Sequence, residues 1–464
     1  MRLYGKKEKA GREMTIGIIG LGYVGLTLAV AAAAKGIEVY GVETNQHIKD
    51  CLKENRAHFY EPGLDNLIKR NNGKNLHVVE EFPKDVRFDA FIITVGTPLK
   101  EGGTPNFDYI RSALQGTVKD VYDGSQLIIL RSTVSVGTTR NIVMPFLSKL
   151  CGKPEEEILV SMCPERTIEG KAIDELSHLP QIISGNNKES LEIAQRLFRI
   201  MTPSVVEANS LEEAELIKLY CNTYRDMTFA IGNAFCMAAQ EFGVDGIAAI
   251  KNANYGYARS NIAKPGFVAG PCLEKDAYIL INNMPECDSR DFILGARKFN
   301  ESLIDLVVKW VESKIGAPSE EKVVALSGMA FKGQPVTSDL RGSSSVYIAE
   351  RLNKKGYKLN LHDYEAIPEE MKALGLGVVY NDLHDACANA RLLLVLNNHK
   401  KYAMLTDDQI FHADRGFEIL DSWGVCTELH YCEDVKISTL GNMFNKGQET
   451  ALRGMELTEK ETGL

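Results

Sequence analysis

Three glycines in the spacing G-x-G-x-x-G (Gly20, Gly22, Gly25) stand between an apolar run, Thr15–Gly20, and an alanine-rich one, LTLAVAAAAKG. The first run reads as a buried strand and the second as a helix, so the chain must turn from strand to helix within a few residues. Gly20 permits the tight turn, Gly22 lets backbone approach a pyrophosphate, and Gly25 lets the helix pack on the strand. Tyr23 and Val24 open the helix, whose unpaired N–H groups face the anion, and join the glycines as expected contacts. Glu43 follows Gly25 by 18 residues, at the end of the next expected strand. A carboxylate there suits a ribose diol and disfavours a 2′-phosphate, so the expected cofactor is NAD rather than NADP. A glycine-rich turn that merely packs tightly is the competing reading, and both flanking strands and the acid argue against it.

Short apolar runs continue to alternate with helical patterns: Ile37–Glu43, Phe88–Val95, Gln126–Arg131, Ile158–Cys163 and Gln181–Ser184 are the expected strands of a parallel sheet. Near Ser210 the character changes. Ser210 and Glu213 form a capping box, and 32 residues without proline follow before Gly243. A helix of that length spans about 48 Å, more than one small domain needs. It either connects domains and pairs in a dimer, or breaks in two near Gly232. After residue 318 the strands resume at Lys322–Phe331, Tyr357–Asp363, Gly377–Tyr380, Leu392–Leu396 and Phe417–Leu420. The expected fold is α/β, an N-terminal Rossmann domain and a C-terminal Rossmann-like domain joined by a long central helix and helical connector. The expected divisions are a flexible extension 1–13, a dinucleotide domain 14–205, a central helical and dimerisation segment 206–317, a second α/β domain 318–445 and a tail 446–464.

Composition removes several function classes. A net charge of −9 without a long basic block argues against nucleic acid as a partner. No apolar run reaches membrane-spanning length, and the N-terminal MRLYGKKEKAGRE lacks the apolar core of a secretory signal. Ten cysteines without a CxxC pair or a Cys/His cluster fit reduced thiols in a cytoplasm, with neither a disulfide framework nor a metal site.

Polar residues gather where strands are expected to end, which is where open parallel sheets hold their ligands. TVGTP brings Thr97, RSTVSVGTT brings Thr133, and MCPERTIEG brings Glu165, Arg166 and Glu169. Lys218 and Asn222 share a face of the long helix, a pairing that is more often a solvated surface than a site. In PGFVAGPCLEKDAYIL, Cys272 follows a glycine turn and precedes Glu274, Lys275 and Asp276. It is either a buried structural thiol or a nucleophile. Cys163 competes with it, but the end of a buried strand suits a core cysteine.

These stretches, with YEPGL (Tyr60–Leu64), EAELIKLYCNTYRD and GMAFKGQPVTSDLRGSSS (Gly328–Ser345), stand in the order found in one family. The chain resembles the nucleotide-sugar 6-dehydrogenases, the UDP-glucose and UDP-N-acetylhexosamine (mannosamine-type) enzymes. The resemblance implies a four-electron oxidation of a UDP-sugar C6 hydroxyl to a carboxylate, with Cys272 carrying a thiohemiacetal and then a thioester. It implies that Lys218 and Asn222 steady an oxyanion, Asp276 transfers protons through water, Glu165 acts in thioester hydrolysis and Thr133 holds water or cofactor. Thr97 and Arg341 would contact cofactor; Glu165, Arg166, Glu169, Gly270 and Lys332 would line the substrate, Lys332 at its phosphates. Arg259 would reach a neighbouring subunit's substrate, in a homodimer through the central helix. Lys275, if it points inward, would favour the thiolate.

Departures matter too. Ala269-Gly270-Pro271 replaces the usual glycine pair before the cysteine, and the stretch from Arg259 to Cys272 is shorter than in UDP-glucose enzymes. CPER, where UDP-glucose enzymes tend to carry NPEF, favours an N-acetylated sugar, whereas CLEKD is closer to the UDP-glucose group. A surface arginine at 166 would carry no such meaning. The alternatives are a UDP-glucose dehydrogenase, a two-electron β-hydroxyacid-type dehydrogenase needing no cysteine, and a nucleotide-binding protein without activity.

Overall fold

The computed structural model describes residues 14–100, 104–406, 410, 417–429 and 436–444. The extension 1–13 and the tail 446–464 lie outside the described residues. The chain divides into two compact units, Met1–Tyr220 and Cys221–Leu464.

The first unit is built on a six-stranded parallel sheet: β1 (Thr15–Ile19), β2 (Glu38–Val42), β3 (Leu76–Val79), β4 (Ala90–Ile93), β5 (Leu127–Leu130) and β6 (Val160–Met162), in the order β3-β2-β1-β4-β5-β6. Helices on both faces bury every residue of β1, β4 and β5, which is why those runs are continuously apolar rather than alternating. Strand order reverses between β1 and β4, the point at whose carboxyl ends open parallel sheets hold their ligands. Two expectations are corrected. β3 is an additional strand, half exposed at the sheet edge, where LHVV pairs with β2 without a strong apolar signal. Gln181–Ile183 (β7) does not join the sheet; it pairs with Val205–Glu207 (β8) in a separate two-stranded ribbon across the amphipathic helix Lys188–Met201.

The long helix runs unbroken from Leu211 to Glu241. Gly232 does not break it: a Cβ there would stand 2.3 Å from the Ala263 carbonyl oxygen, so the glycine admits a close backbone approach. Its cap differs by one residue from the expected box. Ser210 Oγ accepts from the Glu213 N–H, but the Glu213 carboxylate accepts from Asn209 rather than from Ser210.

The second unit repeats the sheet. Strands β9 (Val323–Ser327), β10 (Lys358–His362), β11 (Val378–Tyr380), β12 (Ala390–Val395), β13 (Glu418–Asp421) and β14 (Lys436–Thr439) lie in the order β11-β10-β9-β12-β13-β14, all parallel. β9 stops at Ser327, short of the expected Phe331, because Gly328 takes φ +95° and turns the chain away. The helix Asp288–Ile315 packs Leu303, Val307 and Trp310 into one core with Val324, Leu326 and Leu352. Among the described residues no helix is long and apolar enough to cross a membrane.

Candidate active site

In the first unit the glycine turn has the geometry its spacing demands. Gly20 takes φ +90°, and a Cβ on Gly25 would stand 1.8 Å from the Gly20 carbonyl oxygen. Thr94 locks the turn by donating from Oγ1 to the carbonyls of Ile19 (2.9 Å) and Gly20 (2.6 Å). A Cβ on Gly22, by contrast, would meet nothing within 4 Å. Open backbone at that position, followed by the N-terminus of the helix Tyr23–Ala34, is a cradle that fits a pyrophosphate. Glu43 stands just past the end of β2, its carboxylate accepting from the N–H groups of Leu21 (2.7 Å), Thr44 (2.7 Å) and Asn45 (2.8 Å). Val24 is half-buried. Tyr23 donates its hydroxyl to Glu61 (2.6 Å); burial and that carboxylate hold the phenol far above its usual range. Glu61 also accepts from Gly170 N (2.8 Å), so one buried carboxylate joins the glycine turn, the YEPGL loop and the CPERTIEG loop.

Loops at the ends of β4 and β5 are tied by Thr97, which donates to the Thr133 carbonyl. At the end of β6, Glu165 is buried in an ion pair with Arg131, whose Nε and Nη2 both reach Glu165 Oε2, and Thr167 N–H occupies the other oxygen. Burial acts to raise its pKa, but Arg131, Thr167 and the charge of Lys218 prevail and hold the carboxyl below the usual range. Arg131 further donates to the Cys163 carbonyl (3.1 Å) and to Gln181 Oε1 (3.2 Å). Arg131 stands first in RSTVSVGTT and is not among the expected site residues, because only the hydroxyls of that stretch point to a ligand. Glu215, likewise outside the expected set, fastens the long helix to the same loop by accepting from Gly137 N (2.6 Å) and from Thr139 N (2.8 Å) and Oγ1 (2.6 Å). Arg166 is half-buried with its guanidinium on the Pro180 carbonyl, and Glu169 is half-buried in the same loop.

In the second unit Cys272 is exposed, in no disulfide, at the N-cap of the helix Leu273–Ile281. Cys163 is the opposite case: wholly buried, its thiol pushed up to about 12 by burial. Gly270, at φ +94°, leads into Cys272; its N–H donates to the Gly342 carbonyl (2.8 Å), and a Cβ would stand 2.6 Å from the Phe331 ring. One turn into the helix, buried Asp276 accepts from Asn222 Nδ2 (2.6 Å) and from Lys275 Nζ (2.9 Å). Burial opposes the Lys275 charge, but Asp276 and then Cys272 more than offset it, and the ammonium titrates above the usual lysine range. The Lys275 ammonium is turned onto the Asp276 carboxylate, one helical turn after Cys272.

Three other expected site residues lie at the surface of this unit or near it. Arg341 is exposed and paired with Asp339, Lys332 lies over the Phe331 ring (5.2 Å), and Arg259 is exposed over Tyr257 (4.9 Å). Lys218 precedes Asn222 by one turn of the long helix, and both are buried.

A doubly wound parallel sheet with an open G-x-G-x-x-G turn and an acid at the end of the second strand defines a dinucleotide-binding unit of the kind NAD-dependent dehydrogenases carry. Comparison with known proteins makes this particular. The chain belongs to the UDP-glucose/GDP-mannose dehydrogenase family: the family's NAD binding domain matches residues 14–202, its central domain 212–302 and its UDP binding domain 325–428. It is an NAD-dependent nucleotide-sugar dehydrogenase. It is 32% identical over 400 residues to a UDP-N-acetyl-D-mannosamine dehydrogenase of Methanococcus maripaludis, covering 85% of this chain and 88% of that one. It is 30% identical over 407 residues to an NDP-N-acetyl-D-galactosaminuronic acid dehydrogenase of Ralstonia nicotianae, covering 85% and 93%. The solved structure of UDP-D-ManNAc dehydrogenase from Pyrococcus horikoshii is similar with a TM-score of 0.82 and 28% identity, over 93% of this chain and 100% of that one.

Proposed function

We propose that this enzyme oxidises the C6 hydroxyl of a UDP-N-acetylhexosamine, of the manno or gluco type, to the uronic acid through a covalent adduct on Cys272. The observation that carries the reading is an exposed thiol at a helix N-cap beside a buried carboxylate, Asp276, to which Asn222 and Lys275 both donate. The names of the relatives at 30–32% identity support an N-acetylated sugar. With Arg166 committed to a backbone carbonyl, the N-acetyl reading rests on those relatives rather than on that side chain.

Bound NAD supplies the acceptor for both hydrides, so that CH2OH, two NAD+ and one water give COO−, two NADH and three protons. Cys272 forms the new bond: the thiolate adds its electron pair to the C6 aldehyde carbon, and the carbonyl pair moves to oxygen, which takes a proton. That tetrahedral adduct keeps the C6 hydrogen and gains an ionisable oxygen, which the second oxidation requires. Water then adds to the thioester, the C–S bond breaks, and the sulfur leaves with its electron pair. Lys275 favours the thiolate in both roles. Asp276, aligned by Asn222, relays protons, and Lys218 with Asn222 steadies the oxyanion. Glu165, kept ionised by Arg131, orients the hydrolytic water. Gly20, Gly22, Gly25 and Glu43 hold the cofactor. A cavity of about 390 Å³ in the second unit, lined by Phe229, Lys264, Gln334, Asn398 and Trp423, offers rings to stack and amides to read a pyrimidine edge. This supports placing the uridine there.

The same reading includes a homodimer. Tyr224, Ile231 and Phe235 form a stripe on one face of the long helix, exposed by 71%, 48% and 50%. Apolar stripes of this kind are covered by a partner, here a second copy. Light scattering after gel filtration tests it, and a monomer unchanged by Tyr224→Lys with Phe235→Lys would sink it.

The functional test is NADH yield from limiting UDP-ManNAc, UDP-GlcNAc, UDP-GalNAc and UDP-glucose. Two NADH per N-acetylated sugar is the expected result. Turnover of UDP-glucose alone overturns the sugar, and one NADH per sugar overturns the thioester route.

A further inference from the structure

The eight residues from Gly266 to Leu273 that deliver Cys272 are gripped at both ends by one buried polar chain inside the second unit. At the first end, Gly266 N–H donates to Asn233 Oδ1 (2.9 Å) while Asn233 Nδ2 donates to the Gly266 carbonyl (3.0 Å). The same Nδ2 donates to Asn300 Oδ1 (2.9 Å), and Asn300 Nδ2 donates to the Asp226 carboxylate (2.8 Å) and carbonyl (2.9 Å). Arg297 Nη1 completes the line, donating to Asp226 Oδ1 (2.8 Å) and to the carbonyl of Leu273 (3.1 Å), the residue after Cys272.

These side chains are almost wholly removed from water: Asp226 and Asn233 are 1% exposed, Arg297 2% and Asn300 3%. A buried ion pair is a poor source of stability, since well-packed apolar residues of the same volume often do as well or better. Asp226 Oδ2 has no hydrogen-bond partner, and Arg297 Nε, 3.3 Å from Glu301 Oε1, is too poorly aligned to bond. A costly, incompletely satisfied network is poorly explained by stability and well explained by register.

The register it sets is specific. Asn222, Asp226 and Asn233 follow one face of the long helix at i, i+4 and i+11, and meet in turn Asp276, Arg297 and Gly266. The helix that presents Asn222 thus also fixes the turn that presents Cys272. Between the two grips the loop has little slack: Gly270 is bonded to Gly342, and a Cβ on Gly266 would stand 2.4 Å from the Trp423 ring.

We infer that Asp226, Asn233, Arg297 and Asn300 are positioning residues that hold the Cys272 sulfur in register with Asn222 and Asp276, so that the intermediate aldehyde is captured before it escapes. This rests on Cys272 being the nucleophile. None of the four touches the substrate in this assignment; they act through the loop.

The test uses the full chain with NAD and the sugar it turns over, in Arg297→Lys and Asn233→Ala. A displaced thiol lowers kcat by about 10²-fold, with the KM for NAD little changed because the cofactor turn lies in the other unit. NADH per sugar falls from two toward one as aldehyde is lost, and hydroxylamine traps it. That ratio does not depend on how much enzyme is folded. Independently of turnover, the iodoacetamide alkylation rate of Cys272 relative to exposed Cys287 changes by about tenfold. If Asn233→Ala does not fold, Asn300→Ala removes the middle link instead. Variants that keep both the parent's NADH ratio and its Cys272:Cys287 rate ratio overturn the inference. Two NADH per sugar from Cys272→Ser would overturn the nucleophile reading, while the alkylation ratio would still report whether the network holds the sulfur.

Discussion

Asn222 Nδ2 donates a 2.6 Å hydrogen bond to Oδ2 of Asp276, a carboxylate with no solvent exposure, across 54 residues of sequence. The other carboxylate oxygen is taken by Lys275 at 2.9 Å. Asp276 is thus aligned by an amide on one side and neutralised by an ammonium on the other. Asn222→Ala removes the aligning donor and strands a buried acceptor, a change that costs about 1–3 kcal/mol in stability. If Asn222 also faces the developing oxyanion, kcat falls by about 10²–10³-fold. Saturating steady-state kinetics with a parallel thermal melt separates the two effects; a stability loss with unchanged kcat removes Asn222 from the chemistry.

The glycine turn makes opposite predictions for neighbouring glycines. A methyl on Gly25 would sit 1.8 Å from the Gly20 carbonyl oxygen, whereas one on Gly22 would meet nothing within 4 Å. Gly25→Ala therefore lowers the melting temperature without any ligand. Gly22→Ala melts like the parent but loses the stabilisation that saturating NAD confers on the parent, about 2.7 kcal/mol at a hundredfold excess over Kd. Melts with and without NAD check both. A Gly22→Ala variant still stabilised by NAD would place the pyrophosphate elsewhere.

That contrast also marks what could be read from sequence. The glycine turn, Glu43, the capped start of the long helix and the loop before Cys272 were legible because each depends on residues close along the chain. β3 and β14 were not, since LHVV and KIST are four-residue strands with partial exposure that resemble surface loops. Gly232 was ambiguous until Ala263 was seen to lie against it. The buried polar partners were least legible. Arg131 and Glu165 are 34 residues apart, Glu215 and Thr139 76, and Arg297 and Asp226 71. Pairing at such separations is decided by tertiary packing, and a charged residue in a helix reads as surface until the fold buries it.

The Arg131–Glu165 pair is 1% and 8% exposed at its side chains. Removing one partner leaves a buried charge uncompensated, so Arg131→Met costs about 3–5 kcal/mol, while Arg131→Met with Glu165→Leu recovers most of it. Glu165 has a depressed pKa despite the burial that acts to raise it, because Arg131 and the Thr167 N–H bind its charged form. The pair's contribution is therefore complete above the ordinary carboxylate range and is lost as pH falls through the depressed value. Denaturant midpoints of parent and Arg131→Met should converge in acid and separate at neutral pH. Parallel curves would mean that the pair does not titrate with folding.

His362 gives a second pH dependence, at higher pH. It ends β10 buried, with Nδ1 2.7 Å from Ser327 Oγ, which in turn lies 2.7 Å from the Tyr402 hydroxyl. Burial lowers its pKa from 6.5 to about 4. Between those values the unfolded chain binds the proton and the folded one does not, so stability rises with pH. The contribution is complete above about 6.5, declines as pH falls, and is gone near 4; the full span is roughly 3 kcal/mol. His362→Asn keeps a hydrogen-bonding side chain but cannot titrate. Its unfolding midpoint should fall less than the parent's between pH 7 and pH 5. Equal losses in the two proteins would show that His362 is protonated in the folded state or that other groups carry the acid sensitivity.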